Sequence, residues 1–261
     1  MAALAAEKLE AIRCWTNDPC GAVEGTPGTA KYAEELVAAR LAYAPWMAQI
    51  LGYEGARGRD VLDVGCGQGI DLIRFARGGA RVTGIDLTPR HVELARQHLE
   101  ALGLEGVVFE GDAERLPFPD DSFDIVSSNG VLHHTPDMEA ALREIRRVLR
   151  PGGEARLIVY HRDSLHYWGE QRLVQGLLRR RGVLTNVERS SVEARPLVRV
   201  YSRAQLRGVL EDAGFTGVEL SVRQFDPSDF VATHALRRFI SPAIGDRIGR
   251  AAGWYLCAVA S

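Results

Sequence analysis

Lysine is almost missing from this chain: of 32 basic residues only Lys8 and Lys31 are lysine. With the richness in alanine and glycine, this reads as a GC-rich coding habit and not as a function. Cysteine is also scarce. Cys14, Cys20, Cys66 and Cys257 make no CxxC pair; a Cys14–Cys20 disulfide is open to the chain, with reduced thiols the expected state. No apolar run approaches the roughly 18 residues of a spanning helix. The N-terminus is apolar for only a few residues before Glu7 and Lys8, too short for a signal peptide, so a cytoplasmic location and no stable membrane insertion are expected. A net charge of −2 gives no general pull toward nucleic acid. The 261 residues, 46% hydrophobic and 25% charged, suit one soluble α/β domain with additions. No internal repeat or low-complexity tract is visible.

The most informative stretch is Val61-Leu62-Asp63-Val64-Gly65-Cys66-Gly67-Gln68-Gly69, followed by the apolar run that ends at Asp86 and Leu87. It describes a strand, a glycine-rich turn, a helix, a second strand and a carboxylate. That layout binds an adenosine-containing cofactor at the carboxyl edge of a parallel sheet. A dinucleotide fingerprint would place its third glycine where Ile70 stands. Asp63, just before the loop, would repel a pyrophosphate at a helix N-terminus. It suits a ligand with a cationic end, and S-adenosylmethionine carries an ammonium and a sulfonium but no phosphate. Asp86 stands where a carboxylate accepts from ribose hydroxyls.

A third strand near 107–110 leads into Gly111-Asp112-Ala113, whose acid is placed to accept from an adenine amino group. A fourth strand over 122–128 precedes Asn129-Gly130-Val131-Leu132-His133-His134. A helix is expected from Thr135-Pro136-Asp137, with threonine as its cap and Met138, Ala141, Leu142, Ile145 and Leu149 on its apolar side. The run Arg150-Pro151-Gly152-Gly153 breaks the chain before a fifth strand over 156–160.

In this order and spacing, residues 58–160 resemble the class I S-adenosylmethionine-dependent methyltransferases, and most of all the small-molecule group related to the ubiquinone and menaquinone biosynthesis methyltransferases. The resemblance implies a Rossmann-like α/β fold with helices on both faces of a seven-stranded sheet, order 3-2-1-4-5-7-6. It implies an EC 2.1.1-class enzyme that binds S-adenosylmethionine and its product S-adenosylhomocysteine through Asp63, Gly65, Cys66, Gly67, Asp86, Leu87, Asp112, Ala113 and Asn129. The acceptor would be a small molecule with an oxygen, nitrogen or carbon nucleophile. A quinone or lipid methyltransferase at the membrane surface is the alternative within enzymes; a non-catalytic cofactor-sensing module is the alternative outside them. Nucleic acid is not expected as a partner, since Ser128-Asn129-Gly130 stands where a base-flipping signature would lie. A homodimer stays open.

The outer parts are less marked. Residues 1–56 read as a helical lid segment, with helices over 7–14 and 32–51, and with Trp15 and Pro19-Cys20-Gly21 as its motif. Residues 57–261 read as the methyltransferase domain, with inserts at about 162–201 and 226–252. The first insert is rich in arginine, either a solvated face, a site for an anionic group on the substrate, or a membrane-surface contact beside Leu173, Val174, Leu177 and Leu178. A base, where the nucleophile needs one, is expected at His134, then His161, with His133 the third candidate. A metal built from these three is set aside because no carboxylate or cysteine stands at ligand spacing. Tyr32, Tyr160 and Trp168 serve equally as pocket walls or core.

Overall fold

The computed structural model describes residues 6–17, 19, 21–168, 197–225 and 241–261. The strand Asp60–Val64 (β1) is apolar apart from its two aspartates and buried on both faces, as expected of a central parallel strand. It pairs in parallel with β2 (Arg81–Asp86) on one side and β4 (Phe123–Asn129) on the other. β3 (Val107–Glu110) extends the β2 side, and β5 (Leu149–Tyr160) the β4 side. β7 (Tyr255–Ala260) inserts antiparallel between β5 and β6 (Glu219–Arg223), giving the expected order β3-β2-β1-β4-β5-β7-β6. The chain moves outward from β1 in both directions, so a crevice opens at the carboxyl ends of β1 and β4.

Two cores cover the sheet. One holds Leu62, Val64 and Val126 beneath helix α6 (Met138–Val148), whose inner positions Met138, Ala141, Leu142, Ile145 and Val148 are all buried. The other holds Val61 and Ile125 beneath α4 (Ile70–Arg77) and α5 (Pro89–Ala101). Against this second face lie α2 (Ala30–Tyr43) and the short α3 (Met47–Leu51), with α1 (Ala6–Asn17) preceding them. After the sheet's fifth strand come α7 (Arg203–Asp212), entered through a Ser202/Gln205 capping box, and α8 (Pro242–Ala252). No helix among the described residues is long and apolar enough to cross a membrane.

Three local expectations are corrected. The helix expected over 32–51 is two helices, because Ala44 leaves helical geometry before Pro45 (φ −140°, ψ 68°) and proline offers no N–H to continue the ladder. The cap of α6 is Asp137, whose carboxylate accepts from Ala140 N, and not Thr135. Thr135 instead ends the 3-10 turn Leu132–His134 in extended geometry. Finally, β5 starts at Leu149 and runs through Pro151-Gly152-Gly153, accommodated by a register shift against Phe123 and Ile125. The arginine-rich stretch and its neighbouring leucines lie outside the described residues except Arg199, which donates to the carbonyls of Thr135 and Pro136. Cys20 also lies outside them, while Cys14, Cys66 and Cys257 are buried thiols.

At the end of the sheet away from the crevice, charges clamp four strands together. Asp60 accepts from Arg81 at 2.6 Å and from Arg150 at 2.8 Å, and Arg150 also meets Asp124 at 2.9 Å. The hydrogen bond from Arg81, opposed by partial burial and reinforced by Arg150, holds the Asp60 carboxyl down to about 2. Its folded value lies below the unfolded value of about 3.9. The clamp therefore stabilises fully above pH ~4, and that contribution is lost as pH falls through about 2. In acid titrations followed by circular dichroism, Asp60→Asn should unfold at higher pH than the unmodified protein. Superimposable curves would show that the clamp adds no stability.

Candidate active site

The loop 65–69 requires glycine by its backbone geometry and, at Gly65, by a contact that excludes a side chain. Gly65 has φ +73°, and a Cβ there would lie 2.3 Å from Val131 Cγ2. Gly67, at φ +53°, would instead point a Cβ into open space over the cleft. Glycine reaches both conformations without steric cost. Behind the loop, Gly65 N and Cys66 N both donate to Ile85 O, tying it to the end of β2.

Asp86 ends that strand and is held from two sides. Gly67 N donates to Oδ2 and Thr88 N to Oδ1, each at 2.8 Å, while His91 Nδ1 lies 3.4 Å from Oδ1. Each carboxylate oxygen has a second lone pair, and Asp86 lines the cleft. The backbone thus fixes an acceptor pair at the switch point.

The cleft floor is acidic. Asp71, in the first turn of α4, accepts from Tyr53 OH at 2.6 Å and from Asn129 Nδ2 at 3.0 Å. Burial first, then the charge of Asp71, pushes the Tyr53 hydroxyl strongly up, so it stays a donor. Asp63 lies beneath the loop, 2% exposed, and accepts from Ser127 Oγ at 2.6 Å. Burial raises its pKa well above the usual carboxylate value, helped by the charges of Asp71 and Asp86 and opposed by the Ser127 hydrogen bond. Burial likewise pushes the Cys66 thiol up, so it is no nucleophile.

A cleft of about 190 Å3 is lined by Gly65, Cys66, Gly67, Asp86, Leu87, Asp112, Ala113 and Asn129. Of the cofactor residues expected from sequence, Asp63 alone is not on its wall. Asp71 takes that place, and sequence reasoning passed over it because it sits inside the helix rather than before the loop. His91, Arg40 and Tyr255 also line the cleft unforeseen. The roof comes from α1, whose Lys8, Ala11 and Trp15 line the cleft at helical spacing.

The three candidate histidines separate. His134 lines the cleft. Its Nδ1 lies 2.7 Å from the Leu197 carbonyl, which places the proton on Nδ1 and makes Nε2 the acceptor nitrogen. The Trp15 ring meets it edge-on at 5.2 Å. His133 is fully buried, its ring 3.8 Å from that of Tyr160, and neither nitrogen finds a hydrogen-bond partner among the described residues. Burial and the neighbouring His134 hold its pKa well below the usual value, so it is a neutral packing group. His161 is buried away from the cleft wall, its Nδ1 3.0 Å from the Gly253 carbonyl. Tyr160 lines the cleft, Tyr32 is core and Trp168 is half exposed. Among the described residues no group of three or more His, Cys, Asp or Glu is arranged to hold a metal ion.

A buried histidine tethers the glycine loop to the segment before α2. His98 Nδ1 lies 2.9 Å from the Gln68 carbonyl, and Nε2 accepts from Gly28 N at 3.0 Å. The geometry needs a neutral ring with its proton on Nδ1. Burial lowers its pKa, against the bond to Gln68. The folded value lies below the unfolded value of about 6.5, so stability is full above that pH and declines as pH falls from it toward the folded value. His98→Phe should lower the urea midpoint at pH 7.5 and narrow the gap between midpoints at pH 7.5 and 5.5. A gap equal to that of the unmodified protein would remove His98 as the titrating group.

Comparison with known proteins places this geometry. Residues 62–157 match the family described as a methyltransferase domain. The 27-O-demethylrifamycin SV methyltransferase of Amycolatopsis mediterranei is 44% identical over 103 residues, 38% of each chain. The ubiquinone biosynthesis O-methyltransferase of Alkalilimnicola ehrlichii is 36% identical over 123 residues, 47% of this chain and 49% of the relative. The chain thus spans less than half the length of these curated relatives. A SAM-dependent methyltransferase from Aquifex aeolicus shares the fold at a TM-score of 0.55, with 20% identity over 88% of this chain and 97% of that one. An S-adenosylmethionine-dependent methyltransferase from Mesorhizobium loti does so at 0.56, with 21% identity over 83% and 97%. The segment that forms the loop, most of the acid floor and the turn bearing His134 is therefore similar to a methyltransferase domain, and the sheet has the Rossmann-like order β3-β2-β1-β4-β5-β7-β6.

Proposed function

We propose that the protein is an S-adenosylmethionine-dependent methyltransferase acting on a small-molecule acceptor. The observation that carries this is the pairing of Asp86, fixed by two backbone amides, with an acidic floor at Asp71.

The donor set fits that cofactor and opposes a dinucleotide. A pyrophosphate over the loop would face the carboxylates of Asp71 and Asp86, which line the cleft, and like charges repel. A cationic amino-acid end avoids that repulsion. Gly67 leaves room above the loop for a ligand to approach the backbone. Asp86 would hold the ribose hydroxyls, Asp112 and Ala113 the adenine end, and Asp71 with Asn129 the ammonium.

The cofactor, when bound, supplies a methyl carbon activated by the sulfonium. The chain's part is to align the acceptor and exclude water. Trp15, His134, Tyr160 and Tyr255 line one cleft roofed by α1, which supports a small acceptor over a polymer. The segment 1–56 acts as the lid. His134 Nε2 takes the proton of an acceptor that must lose one; the Leu197 carbonyl holds the ring in the tautomer that leaves Nε2 the acceptor.

The test uses methyl-labelled S-adenosylmethionine and a panel of phenols, amines and acidic carbon acids. Label should pass to at least one class, and His134→Ala should lower that turnover by roughly 10²–10⁴-fold with cofactor affinity nearly intact. Label transfer that survives in His134→Ala to within tenfold would leave the chain working by alignment alone. Absence of transfer to every class would contradict the catalytic reading.

A further inference from the structure

Lys8 is one of two lysines in the chain, and it is 8% exposed. Its ammonium lies 2.5 Å from Asp112 Oδ2 and also contacts Glu114 Oε2. Burial works against the charge, yet the hydrogen bonds to the two carboxylates outweigh it and raise the lysine pKa. The remaining oxygens continue the chain of contacts. Asp112 Oδ1 accepts from Glu114 N at 3.0 Å, and Glu114 Oε1 accepts from Asp137 N at 2.9 Å, where α6 begins.

Two turns along the same face of α1, Trp15 meets the ring of His134. Lys8 and Trp15 are therefore separated by about 10 Å along the helix axis. One helix face is pinned at the Asp112 end of the cleft by charge and at the His134 end by an aromatic contact. Both anchor points belong to the segments that form the cleft wall. A compact ammonium with three rotatable donors suits a position between two carboxylates two residues apart.

We propose that Lys8 is a positioning residue: its bridge to Asp112 and Glu114 seats the roof helix and couples closure to occupancy of the adenosine end. This rests on the reading of the cleft as an S-adenosylmethionine site. An adenine amino group donating to Asp112 shares that carboxylate with Lys8. The lysine offsets the repulsion between Asp112 and Glu114, so the wall keeps its shape while it holds the base. Loss of the ammonium leaves two adjacent, partly buried carboxylates without their counter-charge, and the roof loses its anchor at that end.

The test is Lys8→Met in the full chain, with S-adenosylhomocysteine as the probe. Two readouts are needed, the dissociation constant by calorimetry at low and high salt and amide exchange over residues 6–17. In the unmodified protein, ligand should slow exchange over 6–17, and affinity should fall with salt. In Lys8→Met, affinity should drop roughly tenfold, its salt dependence should flatten, and ligand should no longer protect 6–17. Lys8→Arg should recover part of the effect. Glu114→Gln, which leaves α1 unaltered, should reproduce the weakened protection and guards against a folding defect in the lysine variant. Lys8→Met with unmodified affinity and ligand-induced protection would overturn the proposal. Failure of the unmodified protein to bind the probe would instead overturn the cofactor reading beneath it.

Discussion

Everything at the site depends on how Asp86 is held. The carboxylate sits at the end of β2, and its two oxygens accept from Gly67 N in the loop after β1 and from Thr88 N before α5. Those amides come from two different connections of the sheet. Gly65 and Gly67 adopt positive φ where the loop meets Asp86, and Val131 fills the space that a Cβ at Gly65 would need. One buried acid thus fixes the loop, the start of α5 and the acceptor pair together.

The acids around it form a graded set. Asp63 is sealed beneath the loop, with its pKa raised by burial and by its neighbours. Asp71 is oriented by Tyr53 and by Asn129, and it faces the cleft. Negative charge concentrated under a glycine loop is the reverse of what phosphate binding needs. The same loop geometry that serves dinucleotides elsewhere is here given the opposite polarity. The histidines divide along a similar line. Of the three candidate histidines, only His134 is both oriented by a backbone carbonyl and part of the cleft wall, while His133 and His161 are packing groups held neutral by burial.

The strand order and the cleft wall were legible because they rest on local rules: apolar strands, glycine at forced φ, and acids at strand ends. Asp63 was misplaced by that reasoning. Successive strand residues alternate faces, and its side falls against Ser127 under the loop instead of into the cleft. Asp71 looked like an ordinary first-turn residue, and its role emerges only from the partners Tyr53 and Asn129 that the fold brings to it. Thr135 matched a cap by type, but Asp137 stands where the first turn of α6 presents its amides. The sequence offered Trp15 as part of the segment before the domain, and it lines the cleft, while Lys8 on the same helix was not singled out. A lone lysine in α1 carries no local sign of two carboxylates more than a hundred positions away.

The central claim is that the cleft is built for a cationic adenosine ligand anchored by Asp86. Titration calorimetry of the unmodified protein with S-adenosylmethionine, S-adenosylhomocysteine and NAD, repeated on Asp86→Ala, tests it most directly. The first two should bind and NAD should not, with a loss on the order of 10–100-fold in Asp86→Ala, the size expected for hydrogen bonds to a charged group. Clear binding of NAD with no heat from either sulfur ligand, or an unchanged dissociation constant in Asp86→Ala, would contradict it.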